Sequence, residues 1–169
     1  HEIVSNMQKM DKLTSKPLEK FRHQTMVLMA GVNDLADPPR SKEDILADFQ
    51  IVWTLASKYN SKLYQCTITP FGETSYSSLK GSAKNEARVW LNQQIRSRKG
   101  LPGGPYDVIP LDLPVTEGGV ADDQYPNKIA AQYRAPDGLH FTLAGYGLMA
   151  AKTQSIIGEP IKADLIPKI

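Results

Sequence analysis

The sequence predicts an α/β fold built around a parallel sheet. Segments with helical periodicity alternate along the chain with short apolar segments of strand character, a pattern typical of parallel strands covered by helices. The 169 residues are about one domain's worth of chain, enough to bury a sizeable core without disulfides or metals. Hydrophobic residues make up 41% and charged residues 22% of the chain, which argues against a disordered tail, a collagen-like repeat or a coiled coil.

Three segments have the character of strands. Residues 25–30 form a short apolar run typical of a strand covered on both faces, and residues 63–69 form a second, ended by Pro70. Residues 106–113 form a third, in which Pro110 favours an edge position. Because the first strand is as apolar as a central strand, it should have neighbours on both sides, yet three strands in chain order leave it at an open edge. The sheet is therefore predicted to be incomplete.

Helical periodicity predicts four helices, and two of them have clear N-caps. The helices are expected at 2–13, 41–58, 82–98 and from Thr142 to about 157, with Ser41 and Thr142 as caps. The face of the last helix expected to pack on the core carries Leu143, Tyr146, Ala150, Thr153 and Ile157. A long loop at 114–141 precedes that helix, and residues 158–169 are expected to form an extended tail.

Composition limits the possible partners. Lys plus Arg number 20 and Asp plus Glu 18, a net charge of +2 that gives little attraction for nucleic acid or an anionic membrane. No apolar run approaches the ~20 residues that span a bilayer. The one cysteine, Cys66, excludes an internal disulfide and a cysteine zinc cage, and the three histidines lack ligand-like spacing. We therefore expect no metal and no cofactor, and the compartment stays open, with a secreted or extracellular location slightly favoured.

Two short polar clusters lie where a doubly wound sheet has its ligand crevice, at the carboxyl ends of the strands. Gly31-Val32-Asn33-Asp34 directly follows the first strand, and Asp137-Gly138-Leu139-His140 directly precedes the last helix. The Asn33 amide can donate to a developing oxyanion, and Asp34 can accept backbone N–H groups and fix the loop. Each cluster alone is also a common turn sequence. Their combination at one sheet edge points to catalysis.

The spacing of Asp137 and His140 suits a base and its orienting carboxylate. A carboxylate three residues before an imidazole can accept its Nδ1–H, which fixes the tautomer and leaves Nε2 free as a general base. The sequence thus predicts a general base, its orienting carboxylate and an oxyanion donor in one chain.

These residues resemble the conserved blocks of the SGNH (GDSL-type) hydrolases. The cluster at 31–34 is similar to their third block, Gly-x-Asn-Asp, the cluster at 137–140 to their fifth, Asp-x-x-His, and residues 67–72 to a strand end in a subgroup. The resemblance extends over about residues 20–157. It implies a flavodoxin-like, three-layer α/β/α fold with about five parallel strands, of which this chain supplies about three.

The resemblance also implies ester hydrolysis by a Ser-His-Asp triad. His140 would be the general base, Asp137 its orienter and Asn33 an oxyanion donor, with Gly31 and Asp34 supporting the Asn33 loop. The substrate would be an ester such as an acylated carbohydrate or a short-acyl ester, with lipids also open.

The sequence departs from the family at the nucleophile. The Gly-Asp-Ser block is absent, the second-block glycine has no convincing match, and none of Ser5, Ser41, Ser75 and Ser82 has a suitable setting. We therefore expect residues 1–169 to be the C-terminal portion of one hydrolase domain, completed by an N-terminal polypeptide that carries the serine. The alternative is a non-catalytic module of the same fold that binds carbohydrate or protein or has a structural role.

Overall fold

Parallel strand pairing organises the part of the chain that the computed structural model describes, namely residues 25–36, 39–71, 75–112 and 129–158. Strands β1 (Thr25–Leu28), β2 (Lys62–Cys66) and β3 (Asp107–Ile109) form one sheet in the order β1-β2-β3. Met26 lies opposite Leu63 in the first pair, and both pairs are parallel. The predicted α/β class is confirmed.

Four helices of the described segments accompany the sheet. They are α1 (Val32–Leu35), α2 (Lys42–Lys58), α3 (Ser82–Ser97) and α4 (Leu143–Ile157), with short 3-10 turns at Ser77–Leu79 and Ala131–Tyr133. Both predicted caps are present, because Ser41 Oγ accepts from the Asp44 N–H at 3.0 Å and Thr142 Oγ1 from the Gly145 N–H at 3.3 Å. The helix predicted at 2–13 and all but the first residue of the tail predicted at 158–169 lie outside the described residues.

Alternation along the strands divides the core into two layers. In β2 the Leu63 side chain joins a cluster with α2 and α3, whereas its neighbour Tyr64 joins a second cluster with α4. In β3, Val108 likewise joins the cluster with α2 and α3, and Ile109 joins the cluster with α4. Helices α2 and α3 therefore cover one face of the sheet and α4 the other, which gives the three-layer, flavodoxin-like arrangement.

The predicted inner face of α4 is wrong at Leu143, Tyr146 and Ala150, which are exposed, whereas Ile157 packs against the second cluster as predicted. The buried residues of the helix are Gly145 and Met149, whereas Leu143 is 90% exposed. The rotation of the helix is fixed by the close approach of Gly145 to the 3-10 turn at Ala131–Tyr133, where a Cβ atom would lie 2.8 Å from the Tyr133 carbonyl oxygen. A helix can approach a backbone this closely only at glycine.

Strand β1 lies at an edge of the described sheet, and the side chains on one of its faces are exposed. Met26 and Leu28 pack on the cluster with α2, but Val27 is 50% exposed and the following Met29 58%. The prediction that this strand is covered on both faces is therefore wrong for the α4 side, while its apolar edge position is as predicted.

A fully buried glutamine joins α2, β1 and β2. Gln65 Oε1 accepts from Trp53 Nε1 at 3.1 Å, and Gln65 Nε2 donates to the carbonyl oxygens of Leu28 at 3.2 Å and Cys66 at 3.1 Å. Because the amide is satisfied at both its oxygen and its nitrogen, it joins these elements without the cost of an unpaired buried polar group.

Buried polar contacts also fix the chain beyond β2, at the carboxyl edge of the sheet. Asn92 of α3 accepts from the Ile68 N–H at 2.7 Å and donates to the Ile68 carbonyl at 2.8 Å. Thr67 Oγ1 donates to the buried Asp112 carboxylate at 2.5 Å, and Arg96 pairs with the same carboxylate. These contacts hold the ends of β2 and β3 together.

Replacing Asn92 tests the importance of this backbone pairing. Asn92→Ala leaves the buried N–H of Ile68 without its side-chain acceptor and leaves the C=O with only the longer contact from Arg88, at 3.4 Å. We therefore expect a loss of about 1–3 kcal/mol in the free energy of unfolding, measured by urea denaturation. Gln93→Ala, an exposed change on the same helix, should lie within about 0.5 kcal/mol of the wild type. Equal stabilities for the two variants would show that Asn92 does not hold this segment.

Candidate active site

Asp137 and His140 are in direct contact. His140 Nδ1 lies 2.5 Å from Asp137 Oδ2. Because a carboxylate can only accept, the proton of this hydrogen bond resides on Nδ1, which leaves Nε2 as the acceptor nitrogen of the neutral ring. The His140 side chain is 56% exposed and that of Asp137 28%, so a substrate can reach the imidazole.

Local backbone geometry brings the two side chains together. Asp137 Oδ1 accepts from the backbone N–H groups of Leu139 at 3.0 Å and His140 at 2.9 Å, closing a tight turn. Gly138 within this turn has φ +71°, a left-handed conformation that favours glycine. The Ala135 N–H donates to the His140 carbonyl at 2.9 Å and closes the loop from the other side.

The same contacts keep Asp137 ionised. Its pKa is lowered to about 2, chiefly because its side chain accepts the His140 ring hydrogen bond, with further contributions from the His140 and Leu139 N–H groups. Asp137 is therefore a carboxylate at neutral pH, in the form that can orient an imidazole and stabilise an imidazolium.

The Gly31–Asp34 cluster forms the start of α1, immediately beyond β1. Gly31 has φ +112°, a conformation in which a side chain is strained, and a Cβ atom there would lie 2.5 Å from Ile68 Cδ1, so the Ile68 side chain would also have to shift. Asn33 is exposed on this short helix, where its amide is accessible to a ligand. The Asp34 carboxylate accepts from Arg40 at 3.2 Å, and Arg40 also bonds Asp48 at 2.6 Å.

The two clusters belong to separate segments that pack against the same core cluster. Val32 and Leu139, the sequence neighbours of Asn33 and His140, both pack against the core cluster that contains Ile68 and Phe71. The structure thus brings Asp137 and His140 together directly and places Asn33 on a separate segment that packs on the same cluster.

A third segment beside the pair was not identified from the sequence. The Ser75 N–H donates to the Asp137 carbonyl at 2.7 Å, and the Tyr76 ring meets the His140 ring edge-on, with centroids 6.4 Å apart and planes at 80°. The available signal was the position of this segment just beyond the strand end at 67–71, which is where loops contribute to sites in α/β folds.

Other kinds of site find little support in the described ranges. The buried Cys66 thiol has its pKa raised to about 11 by desolvation, so it is a poor nucleophile at neutral pH. Within residues 25–36, 39–71, 75–112 and 129–158, no group of three His, Cys, Asp or Glu side chains could hold a metal ion. In the same residues, no helix combines the length and the hydropathy needed to cross a bilayer.

Comparison with known proteins establishes the fold. No family model and no curated protein matches the sequence. The structure is similar to that of a Streptococcus pneumonia protein described as a proposed platelet activating factor, with a TM-score of 0.59 and 19% sequence identity. The match covers 79% of this chain and 59% of that chain, so this chain spans less than two thirds of its structural neighbour. At this identity the similarity shows a shared α/β fold.

The low pKa of Asp137 predicts how the pair responds to acid. The folded-state pKa of about 2 lies below the ordinary 3.8, so the stabilisation from ionised Asp137 is present above about pH 4 and is lost as pH falls towards 2. A carbon-13 NMR titration of the Asp137 carboxyl should therefore give a midpoint near 2.

Removal of the imidazole supplies the control for that titration. In His140→Ala the largest cause of the shift is gone, while the two backbone N–H donors stay, so the pKa of Asp137 should rise towards 3.8 without reaching it. An Asp137 carboxyl that titrates at its ordinary value in the wild-type protein would contradict the hydrogen bond.

Proposed function

We propose that this chain forms part of a serine-type ester hydrolase in which His140 is the general base, Asp137 its orienter and Asn33 an oxyanion donor. The observation that carries the proposal is the 2.5 Å contact of an ionised Asp137 with Nδ1 of an accessible imidazole. This arrangement is the base half of a hydrolytic triad. The position of Asn33 beyond β1, at the carboxyl edge of the sheet, adds support.

The chemistry proceeds in two half-reactions. The serine Oγ attacks the ester carbonyl carbon while its proton passes to His140 Nε2, and the carbonyl oxygen becomes an oxyanion that the Asn33 amide stabilises. The ester C–O bond then breaks, and the imidazolium, held at Nδ1 by Asp137, returns its proton to the leaving alcohol. In the second half-reaction, water attacks the acyl carbon while its proton passes to His140 Nε2. The bond between the acyl carbon and the serine Oγ then breaks, His140 returns the proton to the serine Oγ, and the acid is released.

We propose that the serine belongs to a segment that extends the sheet beyond β1. The apolar β1 edge, with Val27 and Met29 exposed, is suited to receive a further strand. A parallel strand placed there would end beside Gly31, at the same edge as Asn33 and His140. A Gly-Asp-Ser sequence at that strand end would complete the triad, and residues 1–169 would then be the C-terminal portion of the domain.

The proposed substrates are esters of carbohydrates or short acyl chains. Exposure of the imidazole and of Asn33 fits an open site that admits a bulky alcohol group. Nothing in this site calls for a cofactor in the reaction described.

Variants of the complete, native protein test the roles with p-nitrophenyl acetate. His140→Ala and Asp137→Asn should each lower kcat by about 10⁴-fold. Asn33→Ala should lower kcat by about 10²–10³-fold because one oxyanion donor is lost. Ser75→Ala is the matched control, since Ser75 contacts Asp137 through its backbone N–H, and it should keep wild-type activity.

Opposite outcomes are equally clear. Full activity in His140→Ala would exclude the proposed base. Inactivation by Ser75→Ala would place the nucleophile in this chain and overturn the assignment to another segment. Absence of ester turnover, together with glycan binding that His140→Ala leaves unchanged, would favour the non-catalytic binding module.

A covalent probe locates the nucleophile. Treatment of the complete native protein with a fluorophosphonate, followed by peptide mapping, should label a serine outside residues 1–169 in a Gly-Asp-Ser sequence. The label should be lost in His140→Ala, because the base no longer activates the serine. Labelling of a serine within residues 1–169 would contradict the proposed arrangement.

A further inference from the structure

We propose that Tyr76 is a positioning residue for His140. Tyr76 belongs to the segment 75–79, and this segment fixes the position of the His140 loop relative to α1, the helix that carries Asn33. This inference rests on the proposed function for its catalytic consequence. The positioning contact itself does not depend on whether Asn33 is an oxyanion donor or on where the nucleophile lies.

One hydrogen bond does not fix an imidazole ring. The contact between His140 Nδ1 and Asp137 Oδ2 sets the distance and tautomer but leaves the ring free to tilt about the axis joining the two atoms. Tyr76 lies edge-to-face against the ring, with a centroid separation of 6.4 Å and an interplanar angle of 80°. This is a favourable arrangement of two aromatic quadrupoles and opposes such a tilt.

The segment that carries Tyr76 is anchored on both sides. The Ser75 N–H donates to the Asp137 carbonyl at 2.7 Å, which ties the segment to the base of the His140 turn. Leu79 is buried in the core cluster with α2 and α3. Tyr76 is therefore attached to a fixed part of the fold although its own side chain is 45% exposed.

A lysine links the same segment to the Asn33 helix. The Lys84 ammonium donates to the Ser78 carbonyl and, at 3.4 Å, to the carbonyl of Ala36 at the end of α1. Contacts thus run from α1 through Lys84 to the segment 75–79, and through Ser75 and Tyr76 to Asp137 and His140. The segment places the proposed oxyanion donor and the proposed base relative to one another.

The test compares Tyr76→Ala and Tyr76→Phe with a matched control. Tyr106→Ala removes a tyrosine of similar exposure that also makes an edge-to-face contact, with Tyr64, but that lies at the start of β3, at the opposite edge of the sheet. The ring-proton resonances of His140 are followed by NMR, and kcat and KM for p-nitrophenyl acetate are measured on the complete native protein.

The expected result separates positioning from substrate contact. Tyr76→Ala should shift the His140 ring resonances, because the ring current of Tyr76 is lost, and lower kcat about 10-fold with KM little changed. Tyr76→Phe should restore both readouts, since it keeps the ring, and Tyr106→Ala should change neither.

Two outcomes would overturn the inference: unchanged His140 resonances in Tyr76→Ala, or an altered KM alone with normal kcat. Failure of the proposed function is distinguishable from both. If the wild-type protein turns over no ester while the resonances still shift in Tyr76→Ala, the positioning contact stands and the esterase assignment falls.

Discussion

The chain that leaves β2 depends on Asn92 to satisfy its backbone, and the carboxyl edge of the sheet is arranged around that contact. The side-chain amide bonds both the N–H and the C=O of Ile68, as a neighbouring strand would. With its backbone fixed, Ile68 places its side chain so close to Gly31 that a Cβ atom there would force the Ile68 side chain to shift. The start of α1, and with it Asn33, is thereby seated on the end of β2.

The features of the fold that local sequence determines could be predicted, and the features that tertiary contacts determine could not. The bounds of α2 and α3 were predictable because caps and apolar periodicity are local properties, as with Ser41. The rotation of α4 was not, because it depends on the contact of Gly145 with Tyr133, which a periodic pattern does not record. The exposure of one face of β1 could not be predicted for a similar reason, because an apolar sequence does not indicate which face of the strand is buried.

The same distinction between local and long-range contacts applies to the candidate site. The contact between Asp137 and His140 was predictable because a carboxylate and an imidazole three residues apart in a turn can reach one another. The contact between Tyr76 and His140 joins residues far apart in the sequence, with α3 and β3 between them, and no short motif marks it. Positioning residues are harder to predict than reacting residues, because many common side chains can fill that role and only their place in the fold identifies them.

The exposed edge at β1 couples stability to site assembly in the proposed arrangement. A strand added there would pair with the β1 backbone and place its own side chains beside Val27 and Met29, which would bury part of their exposed apolar surface. Since any partner that binds the folded state alone shifts the folding equilibrium towards it, the strand that carries the serine would also stabilise the sheet on which Asn33 and His140 stand. Completion of the core and completion of the triad would then be one event, because the open edge of the described sheet leads, three residues beyond Leu28, into the Gly31–Asp34 cluster that carries the proposed oxyanion donor.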